Sequence, residues 1–492
     1  MKLWKNGVFH TMVNEDETKH QMATHQGIII GFDEQIKHLE YDEIIDLNGH
    51  HVYPGFVDAH LHLIGFGRKL SRLNLNNLKD KTIVLKILKQ SFDQKPLFAE
   101  GYFECGITKM DLNQISKDIP ILLRHNDYHS VTVNESILNQ INQNESDGIL
   151  TEEIAEQAMN TFPKYTNLEL TELLEKSIDH LYQYGITGGH SDDLYYYNGF
   201  LETLQVFDRV LLHKPFRAHL LVHHMVLDDY IRSDRFSFNQ TPYLQIGAVK
   251  MFYDGTISSK TALMIAPYKD TSSHGIRIHS TQEFTQMVQR TRTYGLTAAI
   301  HVIGDQGLIE VLKILKENPP KDGQHNRLIH TPWVDEKALL MMKDMPISID
   351  IQPQFLSSDL PWALSYFSQI SPYAFPWKSL LKCGVNLAGS SDAPIEIPNP
   401  LLGIYAAVKR ESDHDQKIYF SDESLTRFEA ITLYTKGANY SAMDQRRGYL
   451  KEGYIADLSI FSEDLMKTDI KNLKKNIVYS TVIDEIIVYQ KP

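Results

Sequence analysis

The sequence predicts an α/β chain, a (β/α)8 TIM-like barrel with a small β-sandwich domain built from both chain ends and an inserted subdomain after the first barrel strand. Three observations carry this prediction. Eight apolar runs, many rich in Val and Ile, occur at 52–60, 185–190, 216–223, 244–251, 296–302, 326–331, 346–352 and 385–390; such runs suit parallel strands buried on both faces. Amphipathic, helix-like segments follow several of them, so strand and helix alternate. Short strand-and-turn patterns occupy both ends of the chain. An open doubly wound sheet is the competing arrangement.

Taken in order, 2–8 carries a turn at Asn6-Gly7, 25–32 is apolar and β-branched, and 43–47 precedes a turn at Asn48-Gly49. At the other end, 448–461 and 481–489 read as strands around turns at Glu452-Gly453 and Lys491. Isolated hairpins are marginal in water, so the ends are expected to pair as one split domain, 1–51 with 440–492. The barrel is expected over 52–439. After the 296–302 run, Leu308, Ile309, Val311, Leu312 and Leu315 recur at helical spacing. The interval 65–175 is too long for a structureless loop. It holds a strand candidate at 119–124 and a largely helical stretch at 160–179, and reads as an inserted lid or substrate subdomain over the barrel's C-terminal mouth.

The chain has 492 residues, 42% hydrophobic and 23% charged, as in ordinary globular proteins. Its formal net charge of −13 argues against nucleic acid and anionic membranes as partners, because both favour a basic surface. Cys105 and Cys383 are the two cysteines, so no disulfide framework is implied and a reducing cytoplasm fits. Residues 1–13 carry Lys2 and Lys5 without a long apolar core, so no signal peptide is expected. No run approaches the length of a transmembrane helix.

The chemistry begins at His60 and His62, at the end of the first apolar run behind Pro54-Gly55. Side chains alternate along a strand, so positions i and i+2 share a face, and two imidazoles there form half of a metal site. Barrel enzymes place their chemistry at such C-terminal strand ends. Lys250 lies inside Ala248-Val249-Lys250-Met251-Phe252. An amine there is costly unless paired or used. Burial eases loss of its proton, and the neutral amine can take up carbon dioxide as N6-carboxylysine, whose two oxygens can bridge two cations. A buried ion pair is the plain alternative. Asp254 follows closely and is expected to orient the site. His301 and His330 each close an apolar run, and Asp392 follows the last one. Asp392 has an ordinary role open to it, as a helix N-cap before Pro394. As a carboxylate at the last strand end it would instead complete a donor set and accept the proton of an attacking water.

Together these positions resemble the amidohydrolase superfamily, most closely the branch with N-substituted formamide deformylase and the YtcJ-like hydrolases. Pro54-Gly55-Phe56-Val57-Asp58-Ala59-His60-Leu61-His62 matches the opening motif. Later motifs are Val249-Lys250-Met251-Phe252-Tyr253-Asp254-Gly255, His301-Val302-Ile303-Gly304-Asp305, Arg327-Leu328-Ile329-His330 and Gly389-Ser390-Ser391-Asp392-Ala393-Pro394. The tail Gly448-Tyr449-Leu450 through Ala456-Asp457-Leu458 also fits, so the resemblance runs over nearly the whole chain. It implies a barrel with a split β-domain and hydrolysis of an amide-like bond by bound metal. It also implies His60, His62, Lys250, His301, His330 and Asp392 as the metal and catalytic positions. Within the insertion, Leu122-Leu123-Arg124-His125-Asn126-Asp127-Tyr128-His129 is similar to that branch's Asp-Gly-His segment, with Tyr128 in place of the usual glycine. Gly101-Tyr102-Phe103-Glu104 stands where the branch shows Gly-Trp-Asp-like residues. These departures bear on the substrate. Asp127, His129, His190 and Asp254 are the candidate substrate contacts.

The expected reaction is hydrolysis of a C–N bond, of amide, N-acyl or N-formyl type, with one or two divalent metals, most simply zinc. Asp392 would act as acid and base and His330 beside the metal on the oxyanion. On the same fold a nucleobase-type deaminase or a lactonase/esterase is the alternative, and a non-catalytic interaction module would have lost the metal residues. A small molecule is the expected partner, and a homodimer would suit related barrels. Loops 352–362 and 372–377 are rich in Phe, Tyr, Trp and Pro, which suggests an apolar or aromatic substituent on the substrate.

Overall fold

The computed structural model describes the chain apart from residues 127–129, 146, 163, 237–240 and 369–372. Eight parallel strands form one sheet in sequential order: β1 (Phe56–Leu61), β2 (Ile186–Ser191), β3 (Arg217–His223), β4 (Leu244–Phe252), β5 (Ala298–Val302), β6 (Asn326–His330), β7 (Ile347–Ile351) and β8 (Asn386–Gly389). Every residue of β1, β2, β3, β5, β6 and β7 is buried. Burial on both faces is why these strands read as unbroken apolar runs. The expected helix after β5 is Asp305–Glu317, whose Leu308, Ile309, Val311, Leu312 and Leu315 are buried.

The sheet's two edges, β1 and β8, meet through the loop after β8 rather than through a ladder. Asp392 N donates to His60 O (2.8 Å), His62 N to Ala393 O (2.7 Å) and Ser391 N to Asp58 Oδ1 (3.2 Å). Ala59 of β1 and Ala388 of β8 pack together in one apolar cluster with Val57 and Ala438, and their small side chains let the two strands approach.

Three sequence-based strands are subdivided. The run 52–60 is two strands in two sheets: His51–Pro54 belongs to a sheet of the chain ends, and β1 begins at Phe56. Gly55 makes the switch, because a Cβ there would lie 2.4 Å from Thr187 Oγ1. The run 25–32 is a hairpin, Met22–His25 and Ile28–Phe32, turning at Gln26 (φ 51°) and Gly27 (φ 76°). The run 481–489 is likewise split between Val478–Ile483 and Ile486–Gln490 by Asp484 and Glu485, both left-handed (φ 50° and 58°). These left-handed pairs supply the twist a two-residue hairpin needs. From 448–461, only Leu458–Phe461 is strand.

The chain ends share one six-stranded sheet, in the order Ile486–Gln490, Val478–Ile483, Leu458–Phe461, His51–Pro54, Val8–His10, Thr18–Lys19. A four-stranded sheet from 2–46 lies on the same core, in which Trp4, Phe9, Met22 and Ile29 pack with Leu458, Ile460 and Val482. A second compact unit spans Gly67–Glu169. Its five-stranded sheet includes Leu97–Tyr102, Ile121–His125 and Ser130–Val133. Alternation along one strand serves two cores: Ile121 and Leu123 join Val84 and Leu88, while Leu122 joins Val131 and Ile137.

Candidate metal centre

Parallel strands all point one way, so residues ending them share one rim of the sheet. His60 lies within β1 and His62 just beyond it; Lys250 is on β4, His301 on β5, His330 closes β6, and Asp392 follows β8. Ligand atoms of His60, His62 and Asp392 all lie within 4.8 Å of one another. Asp392 Oδ1 is 3.5 Å from His60 Nε2 and 3.6 Å from His62 Nε2. Lys250 Nζ is 3.3 Å from His60 Nε2. The His330 ring centroid is 5.8 Å from that of His60 and 4.7 Å from that of His301. The backbone is left-handed at His330 (φ 77°), Thr331 (φ 49°) and Asp392 (φ 54°), a conformation that costs of order 1–3 kcal/mol per residue and clusters at sites.

The electrostatics suit a cation. Burial, and then the neighbouring Lys250, holds the His60 imidazole well below its ordinary pKa. Burial also lowers His301 and His330, so these rings are neutral and offer lone pairs. For His62 burial is outweighed by Asp192, whose Oδ1 is 2.8 Å from Nδ1 and raises the imidazole well above its usual range. Burial would raise Asp392, but His62, His330 and Lys250 hold its carboxyl below the ordinary value. Both carboxylate oxygens of Asp192 are buried between cations, Oδ1 beside His62 and Oδ2 3.3 Å from Lys250 Nζ. The neutral imidazoles of His60, His301 and His330 and the ionised Asp392 carboxylate make a donor set that fits a divalent metal ion.

Two polar residues with no role in the sequence-based reading complete the surroundings. Asp192 stands one residue past β2, fully buried between His62 and Lys250. Its signal was the polar doublet Asp192-Asp193 closing an apolar run. Gln352, one residue past β7, sets the His330 tautomer. Its Nε2 donates to Asp350 O (3.1 Å) and Ser390 Oγ (2.8 Å), so its Oε1 accepts from His330 Nδ1 at 2.8 Å. That leaves the lone pair on Nε2. Gln352→Leu is therefore expected to weaken metal retention by about 10–100-fold, the usual penalty for losing the partner that orients a ligand. Competition with a graded chelator series measures it, and unchanged retention would remove Gln352 from this role.

His190 and Asp254, expected as substrate contacts, are both held in buried hydrogen-bond networks. The His190 ring is 2% exposed, Nδ1 is 3.1 Å from Arg327 Nη2, and its ring packs 4.9 Å from that of His219. It belongs to the buried Arg327 network inside the barrel. Asp254 is fully buried, and backbone N–H groups of Leu263 (2.8 Å), Ile303 (3.0 Å) and Gly304 (2.8 Å) occupy its oxygens. It thereby holds the loops after β4 and β5 in place, close to His301 Nε2 at 4.0 Å. Asp127 and His129 lie outside the described residues. Aromatic rings do border the cluster: Phe355 stacks 6.0 Å from His330, and the Tyr196 ring is 5.8 Å from His62.

The amidohydrolase family model matches residues 43–489. The chain belongs to the amidohydrolase family. YtcJ of Bacillus subtilis (strain 168), described as an amidohydrolase, is 35% identical, with 99% of each chain covered. N-substituted formamide deformylase of Arthrobacter pascens is 22% identical over 91% of this chain and 90% of its own. The crystal structure of an uncharacterized metal-dependent hydrolase from Pyrococcus horikoshii OT3 superposes with a TM-score of 0.83 at 25% identity, covering 96% of this chain and 99% of that one. This amidohydrolase-family chain is thus a hydrolase. Among its described residues, no helix is long and apolar enough to cross a membrane.

Proposed function

We propose that this chain hydrolyses an amide-type C–N bond of a small molecule carrying an apolar or aromatic substituent, N-acyl or N-formyl amines being the leading class, and works in the cytoplasm. The convergence of His60, His62 and Asp392 on one point, with neutral His301 and His330 beside them, is the observation that carries this reading. His60, His62, His301, His330 and Asp392 would hold the cation, most simply zinc. A divalent ion held there supplies Lewis acidity, making a water acidic enough to react as hydroxide near neutral pH. Asp392, ionised and facing His60 and His62, accepts the proton of the attacking water and hands it to the leaving nitrogen. His330 keeps its proton on Nδ1, bonded to Gln352, so it serves better as a ligand than as a proton donor to the oxyanion. Asp192 orients His62 from behind. Phe355 and Tyr196 give the rim an apolar border.

The experiment is turnover of N-formyl amines, N-acyl amino acids, lactones and nucleobases by zinc-loaded protein, with chelator controls. Chelator-sensitive release of amine from the first two classes is expected. Activity confined to lactones or nucleobases would overturn the bond type, and activity indifferent to chelation would overturn the metal.

Lys250 sets the number of ions. As a free amine it pairs with Asp192. After losing a proton it can form an N–C bond to carbon dioxide, and the carbamate presents two oxygens. Zinc-loaded protein prepared with bicarbonate is expected to hold one ion per chain more than Lys250→Met, by metal analysis. Equal content in both would leave Lys250 as an ion-pair partner.

A further inference from the structure

We infer that the β-domain built from the chain ends carries a second divalent-cation site, formed by His10, His51 and Asp464 and sharing no residue with the barrel cluster. The proposal does not depend on the reaction argued above. Sheet register brings the three together from three distant stretches of chain. His10 ends the strand Val8–His10, His51 opens His51–Pro54, and the two strands pair in parallel with Val8 opposite His51. On the other side His51 pairs with Phe461 of Leu458–Phe461, and Asp464 follows that strand.

The distances suit a metal. His10 Nε2 lies 3.1 Å from His51 Nδ1 and 3.6 Å from Asp464 Oδ1, and all three ligand atoms fall within 4.8 Å of one another. Bonds of about 2.0–2.2 Å at tetrahedral angles place neighbouring ligand atoms roughly 3.3–3.5 Å apart. Both observed separations bracket that edge.

Asp464 Oδ1 accepts from Met466 N (2.8 Å) and Tyr53 OH (3.1 Å), and one proton cannot serve both remaining contacts of His10 Nε2. His10 Nε2 faces two atoms at once. With a proton, Nε2 donates to Asp464 or to His51 but offers the other nothing. Without one, its single lone pair accepts from His51 Nδ1 and it offers the carboxylate no proton. Doubly protonating the ring leaves Nε2 with the same single proton, and burial opposes that charge, pushing His10 down to about 4. A cation at the common point would bind lone pairs of all three residues at once.

The supporting groups are also in place. The His10 ring stacks on Tyr53 at 4.4 Å with the planes 2° apart, which fixes its direction. Tyr53 OH donates to Asp464 Oδ1 at 3.1 Å, orienting the carboxylate as groups behind metal ligands commonly do. Lys467 also faces Asp464, with Nζ 3.9 Å from Oδ2, but its side chain is 85% exposed and free to swing into solvent. Side-chain exposures of 5% for His10 and 13% for Asp464 shield the cluster from most solvent, which strengthens binding of a charged ion. Zinc matches two imidazoles and one carboxylate. Bound there, it would join the first strands of the chain to its last and stabilise the folded end-domain by mass action.

The test reads the metal directly. Crystals of the full-length protein soaked in zinc chloride are measured at the zinc absorption edge, and zinc content in solution is compared between wild type, His51→Gln and Asp464→Asn. An anomalous peak within bonding distance of His10, His51 and Asp464, and one fewer tightly held zinc in each variant at unchanged turnover, are expected. No peak at this cluster under zinc that fills the barrel cluster, or equal zinc in all three proteins, overturns the proposal. Should either variant misfold, the wild-type crystal decides alone.

Discussion

Asp392→Asn is expected to lower kcat by about 10²–10⁴-fold, the range spanned by positioned acid–base groups, while the protein keeps its metal. The amide preserves the volume and one carbonyl oxygen, so Asp392's place between His60 and His62 stays filled. It loses the ability to accept a proton. In the native site His62, His330 and Lys250 hold the carboxyl below its ordinary value, so it is ionised and ready as a base. Backbone bonds fix its position: its own N–H donates to His60 O at 2.8 Å. Single-turnover assays with parallel metal analysis decide the matter. Full activity would remove Asp392 from proton transfer. Loss of metal together with loss of activity would assign the carboxylate's charge to holding the ion rather than to proton transfer.

Arg327→Met is expected to destabilise the fold by about 3–5 kcal/mol, the cost of leaving a buried charge unpaired. Arg327 is 1% exposed and Asp350 fully buried. The guanidinium donates to Asp350 Oδ2 through Nε (2.9 Å) and Nη2 (2.7 Å), and Nη2 also reaches Ala59 O at 2.6 Å. One side chain thus ties β6 to β7 and to β1 across the barrel interior. Without it Asp350 keeps the hydroxyl of Ser441 at 2.6 Å but loses its hydrogen-bonded cation. Urea denaturation of Arg327→Met, Asp350→Leu and the double variant measures the coupling. The double variant is expected to recover much of the loss, because replacing both partners by apolar groups removes the orphaned charge. A double variant less stable than either single one would sink this account.

Much of the barrel was readable because its strands are buried on both faces. The runs at 216–223 and 326–331 coincide with β3 and β6 to within a residue. Polar residues closing such runs, His301 and His330 above all, stood out against apolar neighbours. The hairpins at Gln26-Gly27 and Asp484-Glu485 were harder, because Gln and Glu are not turn residues by type and become so only where the chain adopts positive φ. The switch at Gly55 hides inside an uninterrupted apolar stretch. Its cause is Thr187, a residue of a different strand.

By itself the sequence determined the eight barrel strands, the alternation with helices and which polar residues stand at strand ends, because each rests on local periodicity and side-chain chemistry. Only the tertiary structure decided that Asp192 stands behind His62, that Gln352 sets the proton on His330, and that His190 joins Arg327 rather than the cluster of His60, His62 and Asp392. The same holds for His10, His51 and Asp464, which meet across a sheet formed by both chain ends. The physical reason is that these contacts depend on strand register and distance in space, and neighbours along the chain carry no information about either.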